Sequence, residues 1–293
     1  MKKMRKALLS AVLAVLAVLF VFPIALTLTQ SLRSEHEITV NLAPVSGAES
    51  SESTLDPRAD KEYMALNWVP DRATLSQYYE VLVKQPRFLF MFWNSVFLTV
   101  PVIVGQIAVS SLAGYAFSQL RFRWREPLFF LYVVTMLMPF QVTLVPNFII
   151  ADRLGLLDSY SAIIFPGVFG AFGVFLLRQF MTYIPYSYGE AARVDGCGRL
   201  QTFLRIVLPL SKPGIAALAI LLFIDNWNMV EQPLIFLQDA NKQPLSVYLS
   251  IIGEGELGIA FAASTVYMAP VILLMLYAEN HLVEGIQLSG IKG

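Results

Sequence analysis

The stretch GEAARVDGCGRLQTFLRIVLPLSKPG, Gly189–Gly214, is the segment around which the rest of this chain can be organised. It begins with small and charged residues, yet long apolar runs precede and follow it. Of the 293 residues, 56% are hydrophobic and only 14% are charged, whereas a soluble chain of this length is about a quarter charged. The composition therefore predicts an all-α membrane protein in which Gly189–Gly214 is a polar loop between membrane spans.

Six apolar runs are long enough to cross a bilayer core, which takes roughly 20 helical residues. The first follows the basic segment MKKMRK and is longer than the ~7–15-residue apolar core of a signal peptide, so we expect it to be retained. The six predicted spans are approximately Ala7–Leu28, Phe88–Leu112, Leu128–Ile150, Ala162–Phe180, Ile215–Leu237 and Ile259–Asn280.

These spans predict three regions: an N-terminal span at residues 1–30, an extracytoplasmic loop at residues 31–87, and a core at residues 88–293. Within the loop, the Ser-rich and acidic segment at residues 35–62 is expected to be a disordered insert, with a folded loop as the alternative. The following NWVPDRATLSQYYEVL, Asn67–Leu82, predicts a turn and a short amphipathic helix on the membrane surface.

The distribution of lysine and arginine predicts the orientation, because short cytoplasmic loops are enriched in these residues. If the N terminus is cytoplasmic, 13 of the 21 basic residues fall on the cytoplasmic side, and six of the others lie in the long first loop. The short outer loops then carry only Arg153 and Lys242. We therefore expect six transmembrane helices with both termini in the cytoplasm, and Gly189–Gly214 facing the cytoplasm.

Residues 181–213 predict two short helices joined by a tight turn. Gly196 suits the end of the first helix, and Glu190 is expected early in that helix, where a negative charge suits the helix dipole. Ala191 and Ala192 are small and would permit close approach by another surface. Asp195 either belongs to that contact or caps the N terminus of the second helix, and both roles stay open.

The second predicted helix carries an apolar stripe, because its large apolar residues recur at intervals of three and four. Two prolines are expected to end it. The stripe comprises Leu200, Phe203, Leu204 and Val207, and the prolines are Pro209 and Pro213.

The whole stretch resembles the EAA loop of ABC importer permease subunits, with the pattern E-A-A-x-x-x-G followed by I-x-L-P. Other segments resemble the carbohydrate-uptake branch, the maltose-type permeases, and the resemblance runs from Trp68 to Gly293. The loop residues that match are Glu190, Ala191, Ala192, Gly196, Ile206, Leu208 and Pro209. The other matching segments are NSV at Asn94–Val96, SSLAGYAFSQLRFR at Ser110–Arg123, MPFQVTLVPNF at Met138–Phe148, LGLLDSY at Leu154–Tyr160, NWN at Asn226–Asn228 and the terminal GIKG.

The resemblance implies a permease subunit without enzymatic activity in the plasma membrane of a bacterium, taking part in the ATP-driven import of sugars such as oligosaccharides. Its implied partners are a second permease subunit in a heterodimer, cytoplasmic ATP-binding subunits, an extracellular solute-binding protein and membrane lipid, but no nucleic acid and no cofactor. It further implies that the first helix docks on the ATPase with Glu190 as the paired charge. The implied coupling residues are Glu190, Ala191, Ala192, Asp195, Gly196 and Pro209.

The sequence holds no G-x-x-x-x-G-K-[ST] phosphate loop, so ATP hydrolysis is expected on a separate subunit. With one cysteine, Cys197, and two distant histidines, no metal site is predicted. The alternative function is an ion-coupled secondary transporter acting without an ATPase, which predicts inverted repeats and acids at the membrane midplane. No repeat is evident, and only Asp225 and Glu231 offer such acids.

Polar residues interrupt the fifth predicted span. On a continuous helix, Asp225, Asn228 and Gln232 would share one face, with Glu231 adjacent. Because ionisable residues in a membrane are costly and usually face a cavity or a partner, three interpretations stay open. The stripe lines a substrate path and contacts sugar hydroxyls, it contacts the second permease, or it lies near the outer interface.

Overall fold

The computed structural model describes residues 2–38, 70–252 and 256–290, with side chains at 4–38, 70–252 and 256–277. Throughout these ranges the regular structure is helical and no strand occurs. The acidic segment predicted at residues 35–62 is helical at residues 35–38, where the prediction of disorder is wrong. The rest of that segment, and Lys292, lie outside the described residues. The helices are α1 Lys2–Ser31, α2 Ser76–Tyr79, α3 Pro86–Gln119, α4 Arg125–Met136, α5 Phe140–Arg153, α6 Ser161–Val168, α7 Ala171–Thr182, α8 Tyr186–Val194, α9 Arg199–Leu210, α10 Lys212–Trp227, α11 Glu231–Phe236, α12 Leu245–Ile251 and α13 Leu257–Gly290.

Four stretches of helix are long and apolar enough to cross a membrane, and two bent helix pairs raise the number to as many as six. The four are Met4–Ser31, Pro86–Gln119, Ser161–Thr182 and Leu257–Tyr277. The first, second, fourth and sixth predicted spans overlap these four stretches, the third overlaps the bent pair α4 and α5, and the fifth overlaps only α10 of the bent pair α9 and α10.

The third predicted span, Leu128–Ile150, is wrong as a single helix. The chain bends by 99° between α4 and α5, and Pro139 at the bend has an extended backbone with ψ of 140°. Proline has no N–H for the helical ladder, and its ring disfavours a helical conformation in the residue before it. Pro139 lies within a continuous apolar run of the sequence, yet in the structure it separates α4 from α5.

The fifth predicted span, Ile215–Leu237, is also wrong as a single helix. Helix α10 ends at Trp227 and α11 begins at Glu231. The Asn228 side-chain amide donates to the Ile224 carbonyl at 2.7 Å, a local bond of the kind that competes with continuation of the helix.

The chain divides into two compact units, residues 1–90 with 248–269 and residues 91–247 with 270–293. In the first unit, the short helix predicted within Asn67–Leu82 is present as α2, which continues as a π-helical turn at Glu80–Lys84. The Tyr78 and Ser31 hydroxyls lie 2.7 Å apart, and Phe88 packs edge-on against Tyr248 with ring centroids 6.4 Å apart. The end of α1 is thereby tied to α2.

In the second unit, one hydrophobic cluster joins α3, α7, α9 and α10. Tyr115, Leu177, Phe203 and Leu218 are all buried within it. Helices α7 and α10 approach closely at Gly214, where an added Cβ would lie 2.5 Å from Phe180 Cγ. This cluster joins membrane-spanning helices to α9, the second helix of the segment identified from the sequence.

Candidate functional site

The candidate site is the elbow, which we define as α8, α9 and the turn between them, residues 186–210. Gly196 has a φ of +80°, in the left-handed region that favours glycine. Its N–H donates to the Arg193 carbonyl at 3.1 Å, and the Cys197 N–H donates to the Ala192 carbonyl at 2.8 Å. These two bonds form a Schellman motif, so the helix end predicted at Gly196 is confirmed.

Two expectations for the acidic residues of the elbow are wrong. The N-cap of α9 is Gly198, whose N–H donates to Gln201 Oε1 at 3.1 Å, so Asp195 does not cap α9. Asp195 is the C-cap residue of α8 instead. Helix α8 starts at Tyr186 and has nine residues, which places Glu190 at its middle rather than in its first turn.

The apolar stripe of the second helix is narrower than predicted. Phe203 and Val207 are buried, whereas Leu200 and Leu204 are 63% and 51% exposed. The prediction that Pro209 ends this helix is wrong, because α9 continues to Leu210. Pro209 cannot donate a helical hydrogen bond, and a π-helical turn at Phe203–Val207 ends two residues before it. Because a π turn changes the angle between successive side chains, the spacing of a regular α-helix does not carry through this segment.

Gln119, in the last turn of α3, anchors the chain that leads into the elbow. Its side-chain Nε2 donates to the Met181 carbonyl at 2.7 Å and to the Ile184 carbonyl at 3.1 Å. Met181 lies in the last turn of α7, and its carbonyl also accepts from the Ile184 N–H at 3.2 Å, whereas Ile184 lies between α7 and α8. One amide thus joins the end of α3 to the start of the elbow.

Two tyrosines add further anchors between the elbow and α3. The Tyr186 hydroxyl donates to the Ser118 carbonyl at 2.9 Å, and the Tyr115 hydroxyl donates to the Arg199 carbonyl at 3.2 Å. The Tyr115 ring also packs on Phe203, with centroids 5.2 Å apart. Sequence reasoning missed these anchoring residues, although Tyr115 and Gln119 lie in SSLAGYAFSQLRFR, one of the segments that carry the resemblance.

The tip of the elbow, in contrast to its base, is exposed. Glu190 is exposed, and the basic group in its ion pair, Arg193 Nη2, is 3.9 Å away with both side chains about two-thirds in solvent. The apolar side chain of Val194 is 88% exposed. Among the small residues, Ala191 is exposed but Ala192 is buried, so the small size of Ala192 serves packing inside the elbow rather than approach by another surface.

The polar residues of the fifth predicted span do not form one stripe, because the helix breaks between them. Asp225 and Asn228 lie exposed at the end of α10, Glu231 is exposed at the start of α11, and Gln232 is buried. The structure instead brings Glu231 to Gln141, whose Nε2 donates to Glu231 Oε2 at 3.3 Å. Gln141 stands in the first turn of α5, so this contact joins the two broken spans and could not be read from either run alone.

A further cluster of polar side chains, which we call the loop clamp, consists of Asp158, Lys242 and Asp239. Lys242 Nζ lies 2.7 Å from Asp158 Oδ2 and donates to the Asp158 carbonyl at 2.9 Å, while the Asp239 N–H donates to Asp158 Oδ1 at 3.0 Å. The hydrogen bond from Lys242 lowers the pKa of Asp158, and the same bond raises the pKa of Lys242. Within the described residues, no group of three or more His, Cys, Asp or Glu could hold a metal ion.

Comparison with known proteins places these features in context. The family described as "Binding-protein-dependent transport system inner membrane component" matches residues 106–284, more than half of the chain. The polygalacturonan/rhamnogalacturonan transport system permease protein YtcP of Bacillus subtilis is 36% identical over 217 residues, covering 68% of this chain and 75% of that protein. The arabinooligosaccharides transport system permease protein AraQ of Halalkalibacterium halodurans is 29% identical, covering 76% of this chain and 81% of that protein.

A similar fold is found in a solved structure of a bacterial ABC transporter involved in the import of the acidic polysaccharide alginate. The TM-score is 0.79 at 24% sequence identity, with 96% of this chain and 97% of that chain covered. At this identity the likeness concerns the fold alone.

Proposed function

Because this chain belongs to the family of binding-protein-dependent transport system inner membrane components, we propose that it is a permease subunit of an ATP-driven importer of oligosaccharides and related carbohydrate solutes. As an inner membrane component it is a multi-pass protein of the bacterial plasma membrane. The solute class is supported by relatives named for the transport of arabinooligosaccharides and of polygalacturonan/rhamnogalacturonan.

We propose the following assembly. This chain and a second, different permease each form half of the translocation path. A solute-binding protein delivers the solute from outside, and ATP-binding subunits in the cytoplasm supply the energy. The orientation that supports this arrangement has both termini and the elbow in the cytoplasm, as the lysine and arginine distribution predicts.

The observation that carries the proposal is the contrast between the tip and the base of the elbow. The tip presents an exposed carboxylate at Glu190 and an exposed apolar side chain at Val194. An apolar side chain this exposed gains free energy when a partner covers it, and a carboxylate on a small-residue helix can pair with a base on that partner. We propose that this partner is the ATPase.

The base of the elbow supplies the mechanical connection that coupling needs. Gln119 joins the start of the elbow to α3, and Phe203 and Val207 enter the hydrophobic cluster that also contains Leu218 of α10. Packed interiors transmit displacement because they resist compression. Closure of the ATPase would therefore move α3 and α10 together through the elbow.

The test is a charge reversal at the tip, Glu190→Lys, in the assembled transporter reconstituted in vesicles with its ATPase and binding protein. We expect ATP-driven uptake to fall about tenfold or more, since reversing one charge of an interface pair costs several kcal/mol. Asp152→Lys, the same reversal on an exposed acid at the end of α5, is the matched control and should transport like the wild type.

Two results would defeat the proposal. One is full ATP-driven uptake by Glu190→Lys. The other is uptake by this chain without any ATPase, driven by a proton or sodium gradient, which would establish the alternative of an ion-coupled secondary transporter.

We further propose that Glu231 faces the water-filled path between the two permeases. Its exposed carboxylate lies at the start of α11, within the fifth apolar run of the sequence, where contact with lipid would be costly. Gln141 is its partner at 3.3 Å. Asp225 and Asn228, also exposed, are proposed to border the same path, with Gln232 packed behind them.

Cysteine accessibility tests this second proposal, because Cys197 is the chain's single cysteine and can be replaced by serine. In that background, Glu231→Cys should react with a membrane-impermeant thiol reagent during transport. Leu234→Cys, on the same short helix and 51% exposed, is the control and should react more slowly. Equal rates at the two positions would contradict the assignment.

A further inference from the structure

A cavity of about 200 Å³ lies between the elbow and the end of α3. The charged side chains that line it are Arg121, Arg193, Arg199 and Glu190, together with the rings of Tyr186 and Tyr188. Three arginines and one glutamate thus line a single space. This excess of positive charge is not required for docking through Glu190.

Several of the other polar groups around the cavity are already engaged. The Tyr186 hydroxyl donates to the Ser118 carbonyl, the Tyr115 hydroxyl donates to the Arg199 carbonyl, and the Thr202 hydroxyl donates to the Gly198 carbonyl. The guanidinium N–H groups are therefore the strongest donors that a ligand would meet. One N–H group of Arg193 is already engaged, because its Nε donates to the Gly189 carbonyl at 3.3 Å.

One of the three guanidiniums is held in place. Arg121 lies over the Tyr186 ring, 5.5 Å from the ring centroid, within the range of a cation–π interaction. Tyr186 is fixed in turn by its hydrogen bond to α3. Arg121 is thus oriented at the cavity before any ligand arrives, which lowers the entropy lost on binding.

We propose that this cavity binds a phosphate-bearing anion, either the headgroup of an anionic phospholipid or a soluble phosphate compound. Guanidinium groups form paired hydrogen bonds with phosphate oxygens. In the proposed orientation the cavity lies at the cytoplasmic boundary of the membrane, and basic pockets between spans on that side accept anionic lipid headgroups. An anion here touches both the elbow and α3, so its occupancy regulates how the elbow is held.

The chain supplies matched controls for this site. Arg123 follows Arg121 by two residues, and Arg205 lies on the same helix as Arg199, yet neither lines the cavity. If these arginines only contribute a general positive charge to the cytoplasmic side, all five are equivalent. If they form a site, only Arg121, Arg193 and Arg199 matter.

The experiment measures binding to the assembled transporter, without ATP, by native mass spectrometry. The probes are dioctanoyl phosphatidylglycerol, dioctanoyl phosphatidylcholine and inorganic phosphate. We expect saturable binding of phosphatidylglycerol or of phosphate, one per copy of this chain, and no such binding of phosphatidylcholine. Arg199→Gln and Arg193→Gln should weaken that binding about tenfold or more, Arg199→Lys by less, and Arg205→Gln and Arg123→Gln should bind like the wild type.

The probes distinguish the two sources, because a lipid site retains phosphatidylglycerol in the presence of phosphate and a soluble-phosphate site does not. The proposal is overturned if neither probe binds, or if Arg205→Gln weakens binding as much as Arg199→Gln. Binding without ATP is independent of uptake, so this site and the coupling role of Glu190 can fail separately.

Discussion

The elbow and the break between α10 and α11 are both polar interruptions of an apolar chain, but they are built in opposite ways. The elbow has a base fixed by hydrogen bonds from α3 and by burial of Phe203 and Val207. At the break, Asp225, Asn228 and Glu231 are exposed, and the bond between Glu231 and Gln141 joins two exposed side chains.

Under the proposed function, this difference separates a part that transmits force from a part that meets solute. A lever must be rigid where it joins the structure and accessible where it is pushed, which is the arrangement of the elbow. A path must present polar groups to water, which is the arrangement at the break. Substitutions in the two regions should therefore fail in different ways.

The largest expected effect is at Gln119, the anchor of the elbow. Gln119→Leu removes the side-chain donor to the Ile184 carbonyl and one of the two donors to the Met181 carbonyl. A buried carbonyl left unsatisfied costs about 1–3 kcal/mol. We expect a lower Tm of the assembled transporter and ATP hydrolysis that no longer drives uptake. The control is Gln201→Leu, which removes an exposed amide from the elbow itself and should retain coupled uptake. An equal loss of coupled uptake in both variants would contradict a special role for the contact with α3.

A smaller effect is expected at Gly196, where the left-handed backbone costs any other residue about 1–2 kcal/mol. An added Cβ meets no atom within 4 Å there, and the same is true at Gly155, whose φ is +64°. Gly196→Ala and Gly155→Ala therefore carry the same strain without a clash. We expect only Gly196→Ala to weaken ATPase association in a pull-down assay, and a matching loss in Gly155→Ala would mean that strain alone explains it.

The break should tolerate substitution without loss of stability. Gln141→Leu removes one exposed hydrogen bond to Glu231, so the free energy of unfolding should change by no more than about 1 kcal/mol. ATPase association should be unchanged while solute uptake changes. A variant that lost the ATPase instead would break the distinction between the two regions.

The smallest expected effect is at the loop clamp. The pKa of Asp158 is lowered by Lys242, so the ion pair contributes stability above the ordinary pKa of an aspartate and loses it as the pH falls through the lowered value. Asp158→Asn keeps a residue that tolerates the left-handed backbone at φ 58°. The difference in Tm between wild type and Asp158→Asn should be constant between about pH 5 and 9 and should shrink below about pH 4; a difference that grew in acid would contradict this assignment.

Much of the elbow could be predicted from the sequence because its signals are local. The turn depends on the backbone freedom of Gly196, and two helical segments flank that residue as expected. The prediction for Glu190 is wrong because Pro185 starts the helix at Tyr186, and the predicted stripe is too wide because a π turn precedes Pro209. Both errors arise next to a proline, Pro185 at the start of α8 and Pro209 within α9.

The rest could not be predicted because it depends on which helices meet. Hydropathy predicts that Leu128–Ile150 and Ile215–Leu237 are continuous helices, because apolar residues continue through Pro139 and resume beyond Asn228. The contact of Gln141 with Glu231 spans 90 residues, and that of Gln119 with Met181 spans 62. A contact between side chains so distant in sequence leaves no periodic pattern in a single sequence, so it could not be predicted from one.

Contact between the tip of the elbow and the ATPase is tested most directly by a photo-crosslinker in place of Val194. Val194 is 88% exposed at the tip, and Val83, 59% exposed beside α2, is the matched control. After irradiation of the assembled transporter, we predict a covalent product that contains this chain and the ATPase from position 194 but not from position 83. Products at position 194 that contain only lipid or the second permease would contradict the proposed coupling role of the elbow.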